Sequence, residues 1–327
     1  MNTMSMKWLI RREFWEYKGA MFWAPLAVAA ALVLLIGGTM AYGLAMHPMP
    51  SHVTINGHAM NGYGGGMTLE LRSRVAQIAS SMYLGAALPL FGLLTAVVFS
   101  YCLGALYDER RDRSILFWKS LPVSDGMTVL SKAAMALLVA PLITIALGTA
   151  ASLLLLLIGC VAIGFNGVNV LGPVLASPDL YLSPLRLLAL LPVYIVWALP
   201  TVGWLLLVSS WARSKPFMWA VGAPLVALLV VKWVSVAMEN FSGTQLDLLP
   251  WMQDVVARLL TGVVPGIWFA YTGGTPSMRP DEHGLDVSSL VSHSYATLSG
   301  ADAWIGALLG AAMLYGAMRL RRYRDEG

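Results

Sequence analysis

The side chains best able to do chemistry in this chain are concentrated in one run, Tyr107-Asp-Glu-Arg-Arg-Asp-Arg-Ser-Ile-Leu-Phe-Trp-Lys-Ser-Leu-Pro-Val-Ser-Asp125, between two long apolar segments. On a helix Glu109 and Arg113 are four residues apart, as are Asp108 and Asp112, so neighbouring turns face one another with charge. Ile115, Leu116, Phe117 and Leu121 add an apolar surface, and Pro122 ends the helix. This is recognition chemistry: a short, rigid, mixed-charge helix suited to a groove on a soluble subunit, able to pass movement to the apolar segments on either side. The alternative is a cytoplasmic loop made basic by membrane topology alone.

Other candidate sites are sparser. All five histidines, His47, His52, His58, His283 and His293, fall in two loops on the opposite side from this charged island, and the first loop adds Met49, Met60 and Met67. His with Met suits copper, which makes His47, Met49, His52 and His58 a candidate ligand set. Met is common throughout, however, with 18 copies, so loop composition accounts for the same pattern. None of the six lysines follows a glycine, so the chain has no phosphate loop of its own. The apolar segments contain no Asp or Glu in their interiors, which disfavours a proton- or sodium-coupled carrier. They offer mostly Ser, Thr and Tyr, without acids or His, which ranks an intramembrane enzyme last. Lys232 is the one charge at membrane depth; it either touches an anionic substrate or headgroup, or snorkels outward or pairs with Glu239.

The elements that must position these residues are membrane helices. Hydrophobic residues make up 58% of the 327 and charged residues 12%, against a soluble norm of about 25% charged. The spacing predicts six spans: Phe22 to Met46, Ser80 to Leu106 with a possible kink at Pro89, Ala133 to Ile163, Leu187 to Val208, Phe217 to Met238, and Ala303 to Met318. The first has no charge in 25 positions, enough at about 1.5 Å per residue to cross a core of about 30 Å, and too long for a cleaved signal. The third is longer than one crossing needs, and its first turns are expected to project from the membrane.

Residues 6–19 carry apolar Met6, Ile10, Phe14 and Tyr17 on one side and Lys7, Arg11 and Lys18 on another, which predicts an interfacial helix with Trp8 and Trp15 at the headgroups. Residues 239–300 are expected to form an extracytoplasmic, re-entrant or surface-lying helical segment, with a helix at Leu248 to Leu260 supported by an Asp254–Arg258 pair. Cys102 and Cys160 fall at opposite ends of their segments and read as buried thiols. The fold class is thus an all-α integral membrane protein, with residues 1–327 forming one domain. Fifteen of the 21 Lys and Arg lie on the side of the charged island; only Arg72, Arg74, Arg186, Lys232, Arg258 and Arg279 do not. That bias puts both termini and the island in the cytoplasm, and it explains the net charge of +4 without nucleic acid as a partner.

An interfacial N-terminal helix, two spans and then the run from Leu106 to Ser124 resemble the permease subunits of ABC type-2 transporters, the type V exporter fold. In that family a Glu-Arg pair, a Ser or Thr, an apolar patch and a Leu-Pro ending form the coupling helix that contacts the ATPase; Glu109, Arg110, Ser114, Leu121, Pro122 and Ser124 match it here, with Arg113, Leu116 and Phe117 on the same segment. The long loop before the last span departs from the commonest members. The resemblance implies a half-transporter in a bacterial cytoplasmic membrane. Two permeases, identical or homologous, would sit on two cytoplasmic ATP-binding subunits that hold ATP and Mg, and would move lipids, glycans, peptides or other amphiphiles. This chain itself would be no enzyme and would hold no cofactor; its partners would be the ATPase, a second permease and membrane lipid. The rival from a different class is a non-transporting scaffold that anchors or regulates a soluble partner through the same island. If loop composition explains the His and Met residues, purified protein loaded with copper and desalted will retain none by elemental analysis; stoichiometric copper would contradict this.

Overall fold

In a computed structural model the described residues are 3–46, 52–55, 58–61, 76–80, 83–112, 124–165, 169–242, 248–271 and 287–323. They contain six helices long and apolar enough to cross a bilayer by length and composition: Gly19–Gly43, Ala76–Arg111, Asp125–Phe165, Pro178–Trp211, Pro216–Phe241 and Ala301–Tyr323. The chain is therefore an all-α multi-pass membrane protein, with one small departure. His52–Ile55 and His58–Asn61 pair as an antiparallel hairpin in register Val53↔Met60 and Thr54↔Ala59. The sequence explains it, since β-branched Val53, Thr54 and Ile55 precede Asn-Gly, the dipeptide that most favours a two-residue hairpin turn.

The N-terminal helix Thr3–Glu16 continues through a π-helical turn, Gly19–Trp23, into the first span. Its apolar side is covered by protein. Ile10, Phe14 and Tyr17 pack on the main core rather than facing outward, Leu9 and Glu13 are buried, and Trp8 and Trp15 are exposed beside Lys7 and Arg11. Pro89 lies in the first turn of the α-helix Leu88–Gly104, just after the 3-10 turn Tyr83–Ala87, where its missing N–H costs nothing. The third span is helical from Asp125 to Phe165, 41 residues or about 60 Å, and it includes a π-helical turn at Met135–Val139. It overshoots a core of about 30 Å, so its first turns lie beyond the apolar layer.

The fourth and sixth spans pair most extensively, because glycines let their backbones meet. A Cβ on Gly203 would lie 2.5 Å from the Gly310 carbonyl oxygen, and one on Gly310 would lie 2.6 Å from Leu199 backbone atoms. The fifth span is apolar and largely exposed; Trp204 Nε1 donates to the Ala220 carbonyl at 2.9 Å and holds its first turns.

At the end of the bundle where the sixth span begins, the helix Leu248–Thr261 packs against the fifth and fourth spans, and its Arg258 reaches the sixth. Thr201, midway along the helix Leu191–Trp211, donates to the Arg258 carbonyl at 2.8 Å, so this segment reaches half the depth of that helix. Arg258 does not turn to Asp254. It donates to the carbonyls of Asp302 and of Ala303, the latter at 3.0 Å, and its Cζ lies 4.3 Å from the Trp197 ring centre. A Cβ at Gly306 would run into this guanidinium. Gly203→Ala and Gly310→Ala are expected to lower the thermal unfolding midpoint in detergent, since overpacking a close contact costs about 1–3 kcal/mol. Gly222→Ala, whose Cβ would meet nothing within 4 Å inside the helix Pro216–Ser242, is expected to leave the midpoint unlowered or to raise it slightly.

Candidate functional site

At the opposite end of the bundle four segments bring charged side chains out of solvent together. Each arrives by an ordinary local route. Ser124 caps the third span by accepting the Met127 N–H at 3.3 Å, and this fixes Asp125 in the first turn and Lys132 two turns on. In the sixth span Ala303, Gly306, Gly310, Leu314, Ala317 and Arg321 are buried at spacings of three and four, so Arg321 is the last member of the inward-facing stripe. Glu13 lies on the packed side of the N-terminal helix. Glu109 sits in the short helix Tyr107–Arg111, where the charged island begins.

Lys132 is 0% exposed, and its Nζ lies 2.9 Å from Glu13 Oε1 and 3.0 Å from Glu109 Oε1. Arg321 Nη1 donates to Glu109 Oε2 at 2.5 Å, and Arg321 Nε to Asp125 Oδ1 at 3.1 Å. Arg12 Nη2 is 3.5 Å from Glu109 Oε1, and the Tyr101 hydroxyl donates to Glu13 Oε2 at 3.1 Å. Three cations, Arg12, Lys132 and Arg321, thus face three carboxylates, Glu13, Glu109 and Asp125. Taking such charges out of water costs several kcal/mol per ion, and opposite charge at hydrogen-bond distance offsets it. On the rim, burial and then the Glu13 carboxylate push the Glu16 carboxyl above its ordinary range.

A second clamp fixes the root of the island. The helix of the second span breaks at Ala105 and Leu106, and Ser209 of the fourth span bridges the break: its Oγ accepts the Leu106 and Tyr107 N–H groups at 3.1 and 3.0 Å and donates to the Leu103 carbonyl at 2.7 Å. Arg110 Nη2 donates to the carbonyls of Ser209 at 2.6 Å and Ala212 at 2.8 Å. These contacts satisfy backbone groups that a broken helix would leave without partners.

Of the candidate site residues, Glu109 and Arg110 therefore lie together and point into the bundle, while neighbouring Arg111 and Asp112 are exposed. Arg113, Ser114, Leu116, Phe117, Leu121 and Pro122 lie outside the described residues. Lys232 is exposed on the fifth span, far along the chain from this cluster. His47 and Met49 lie outside the described residues, and His52 and His58 occupy opposite ends of the hairpin register. Among the described residues no group of three or more His, Cys, Asp or Glu is placed to hold a metal ion.

Sequence reasoning missed Glu13, Lys132 and Arg321. It counted Lys132 and Arg321 as topological charges and left Glu13 out. The available signal was position: Glu13 is an acid among the apolar residues of a basic helix, and Arg321 prolongs an apolar stripe. Comparison with protein-family models, curated proteins and solved structures finds no match to this chain.

Lys132→Met leaves Glu13 and Glu109 buried against each other and is expected to destabilise the protein by about 3–5 kcal/mol, the range for removing one partner of a buried ion pair. Adding Glu13→Gln should restore part of that loss, a non-additivity that a double-mutant cycle on thermal unfolding in detergent detects. Additive effects would contradict the pairing.

Proposed function

We propose that this chain is the membrane-spanning permease subunit of an ATP-driven ABC type-2 exporter, with its charged island in the cytoplasm and a second permease copy or homologue beside it. Nucleotide and Mg belong to a separate ATP-binding subunit, in keeping with the lack of a phosphate loop in this sequence. The observation that carries the reading is how the island is rooted. Its first turn is tied by Glu109 to the third span through Lys132 and to the sixth through Arg321, and by Arg110 to the end of the fourth. Lys132 extends the tie to Glu13 of the N-terminal helix.

A topological loop has no need of such a root, whereas a coupling element does. Closure of an ATPase dimer displaces the island, and that displacement must either move these helices together or break ion pairs that have little access to water. On this reading Glu109 and Arg110 transmit the motion from within. The surface offered to the ATPase begins at exposed Arg111 and Asp112 and continues through Arg113, Ser114, Leu116, Phe117, Leu121 and Pro122. Exported substrates of this class are amphiphiles such as lipids, glycans and peptides.

Co-purification with the ATP-binding protein encoded beside this chain tests the reading. Wild type is expected to retain that subunit and to change its rate of ATP hydrolysis. Arg111→Glu with Asp112→Lys, or Phe117→Ala, is expected to weaken retention at least tenfold without altering the unfolding midpoint of this chain. If wild type retains no ATPase the exporter reading fails, and retention without any effect on hydrolysis favours the scaffold.

A further inference from the structure

The outward face of the N-terminal helix carries a pattern that the coupling role does not use. Trp8, Arg11, Trp15 and Lys18 follow at steps of three, four and three, which places them on one side of the helix. Trp8 is 65% and Trp15 58% exposed, and Trp23, one turn beyond Lys18, is 53% exposed. The cations lie against these rings: Arg11 Cζ is 5.6 Å from the centre of Trp8, and Lys18 Nζ is 4.7 Å from Trp15 and 5.7 Å from Trp23. Lys7 is exposed on the same side. The nearest acid, Glu16, lies on the flank and is bonded by Arg12 at 3.4 Å.

An amphipathic helix ordinarily rests on a membrane by its apolar stripe. Here that stripe packs on the protein core, so the helix presents aromatic rings and positive charge instead. We infer that this face, Lys7, Trp8, Arg11, Trp15 and Lys18, is a binding surface for the headgroups of anionic phospholipids. Three features select that occupant. The helix runs through the π-helical turn Gly19–Trp23 into the first span, which places the Lys18 end of the face where that span begins. Trp is the side chain whose amphipathic ring settles at headgroup level. Three cations with no acid among them complement a phosphate that carries net negative charge, and each is worth on the order of fivefold in binding to an anionic surface. A zwitterionic headgroup neutralises its own phosphate and gains much less. The inference needs only that the chain spans a membrane, and it stands apart from the exporter reading.

The full chain, purified in detergent and equilibrated with equal amounts of phosphatidylglycerol and phosphatidylcholine, is analysed for retained lipid by mass spectrometry. Wild type is expected to retain phosphatidylglycerol preferentially, and Lys7→Gln with Arg11→Gln and Lys18→Gln is expected to lower that preference by at least tenfold with the unfolding midpoint unchanged. A second measurement is independent of the charge variant: brominated phosphatidylglycerol should quench wild-type tryptophan fluorescence more than brominated phosphatidylcholine does, and Trp8→Phe with Trp15→Phe should remove most of the difference. No preference in wild type, an undiminished preference in the triple variant, or equal quenching by the two lipids overturns the inference.

Discussion

An ammonium group without solvent exposure persists only where negative charge meets it at bonding distance, and Lys132 meets that condition by standing between Glu13 and Glu109. Everything at that end of the bundle is arranged around this contact. Glu109 has a second cation in Arg321, Arg321 a second carboxylate in Asp125, and Glu13 a hydroxyl in Tyr101. Lys132 and Glu109 are the least dispensable, because removing either leaves buried opposite charge short of a partner. The cluster therefore ties the N-terminal helix, the start of the island and the third and sixth spans to one another through charge.

The opposite end of the molecule is held by different means. Arg258 occupies carbonyls at the start of the sixth span and the face of Trp197 on the fourth, and Trp197 Nε1 donates to Thr297 Oγ1 at 3.2 Å. Between the two ends, Gly203 and Gly310 bring the fourth and sixth spans into backbone contact. This pair is thus held by close contacts at mid-depth and at the end where the sixth span begins. The fifth span, by contrast, exposes Trp233, Leu229 and Phe241 along much of its length.

The six-span, all-α architecture was legible because a hydrocarbon-length apolar run has few alternatives. Helix ends were less so: Pro89, Pro192 and Pro216 begin α-helices, a role that length and hydropathy do not reveal. The hairpin at His52–Asn61 was written in Val-Thr-Ile followed by Asn-Gly, a local signal that the surrounding Gly- and His-rich composition obscured. The N-terminal helix was legible along the chain, but periodicity gives an apolar face without saying whether lipid or protein covers it, and here protein does. The buried cluster was least legible. Lys132 and Arg321 fall where topology alone would put positive charge, and only the fold brings carboxylates from two distant segments against them. A charge count treats such residues as equivalent to Arg322, which is exposed.

The central claim is that this cluster carries displacement of the island into the spans. It is tested most directly by spin labels at Trp304, an exposed position at the far end of the sixth span, in a cysteine-free chain assembled with the proposed ATP-binding subunit. The distance between the labels of two permease copies is measured with and without trapped nucleotide, in otherwise unaltered protein and in Glu109→Met with Arg321→Met. That substitution removes one carboxylate and one cation together and leaves Lys132 paired with Glu13, and an unchanged unfolding midpoint is the control that the fold is kept. The account predicts a nucleotide-dependent change in distance that the double substitution abolishes while ATP hydrolysis continues. The same change in both proteins would show that the motion reaches the sixth span by another route.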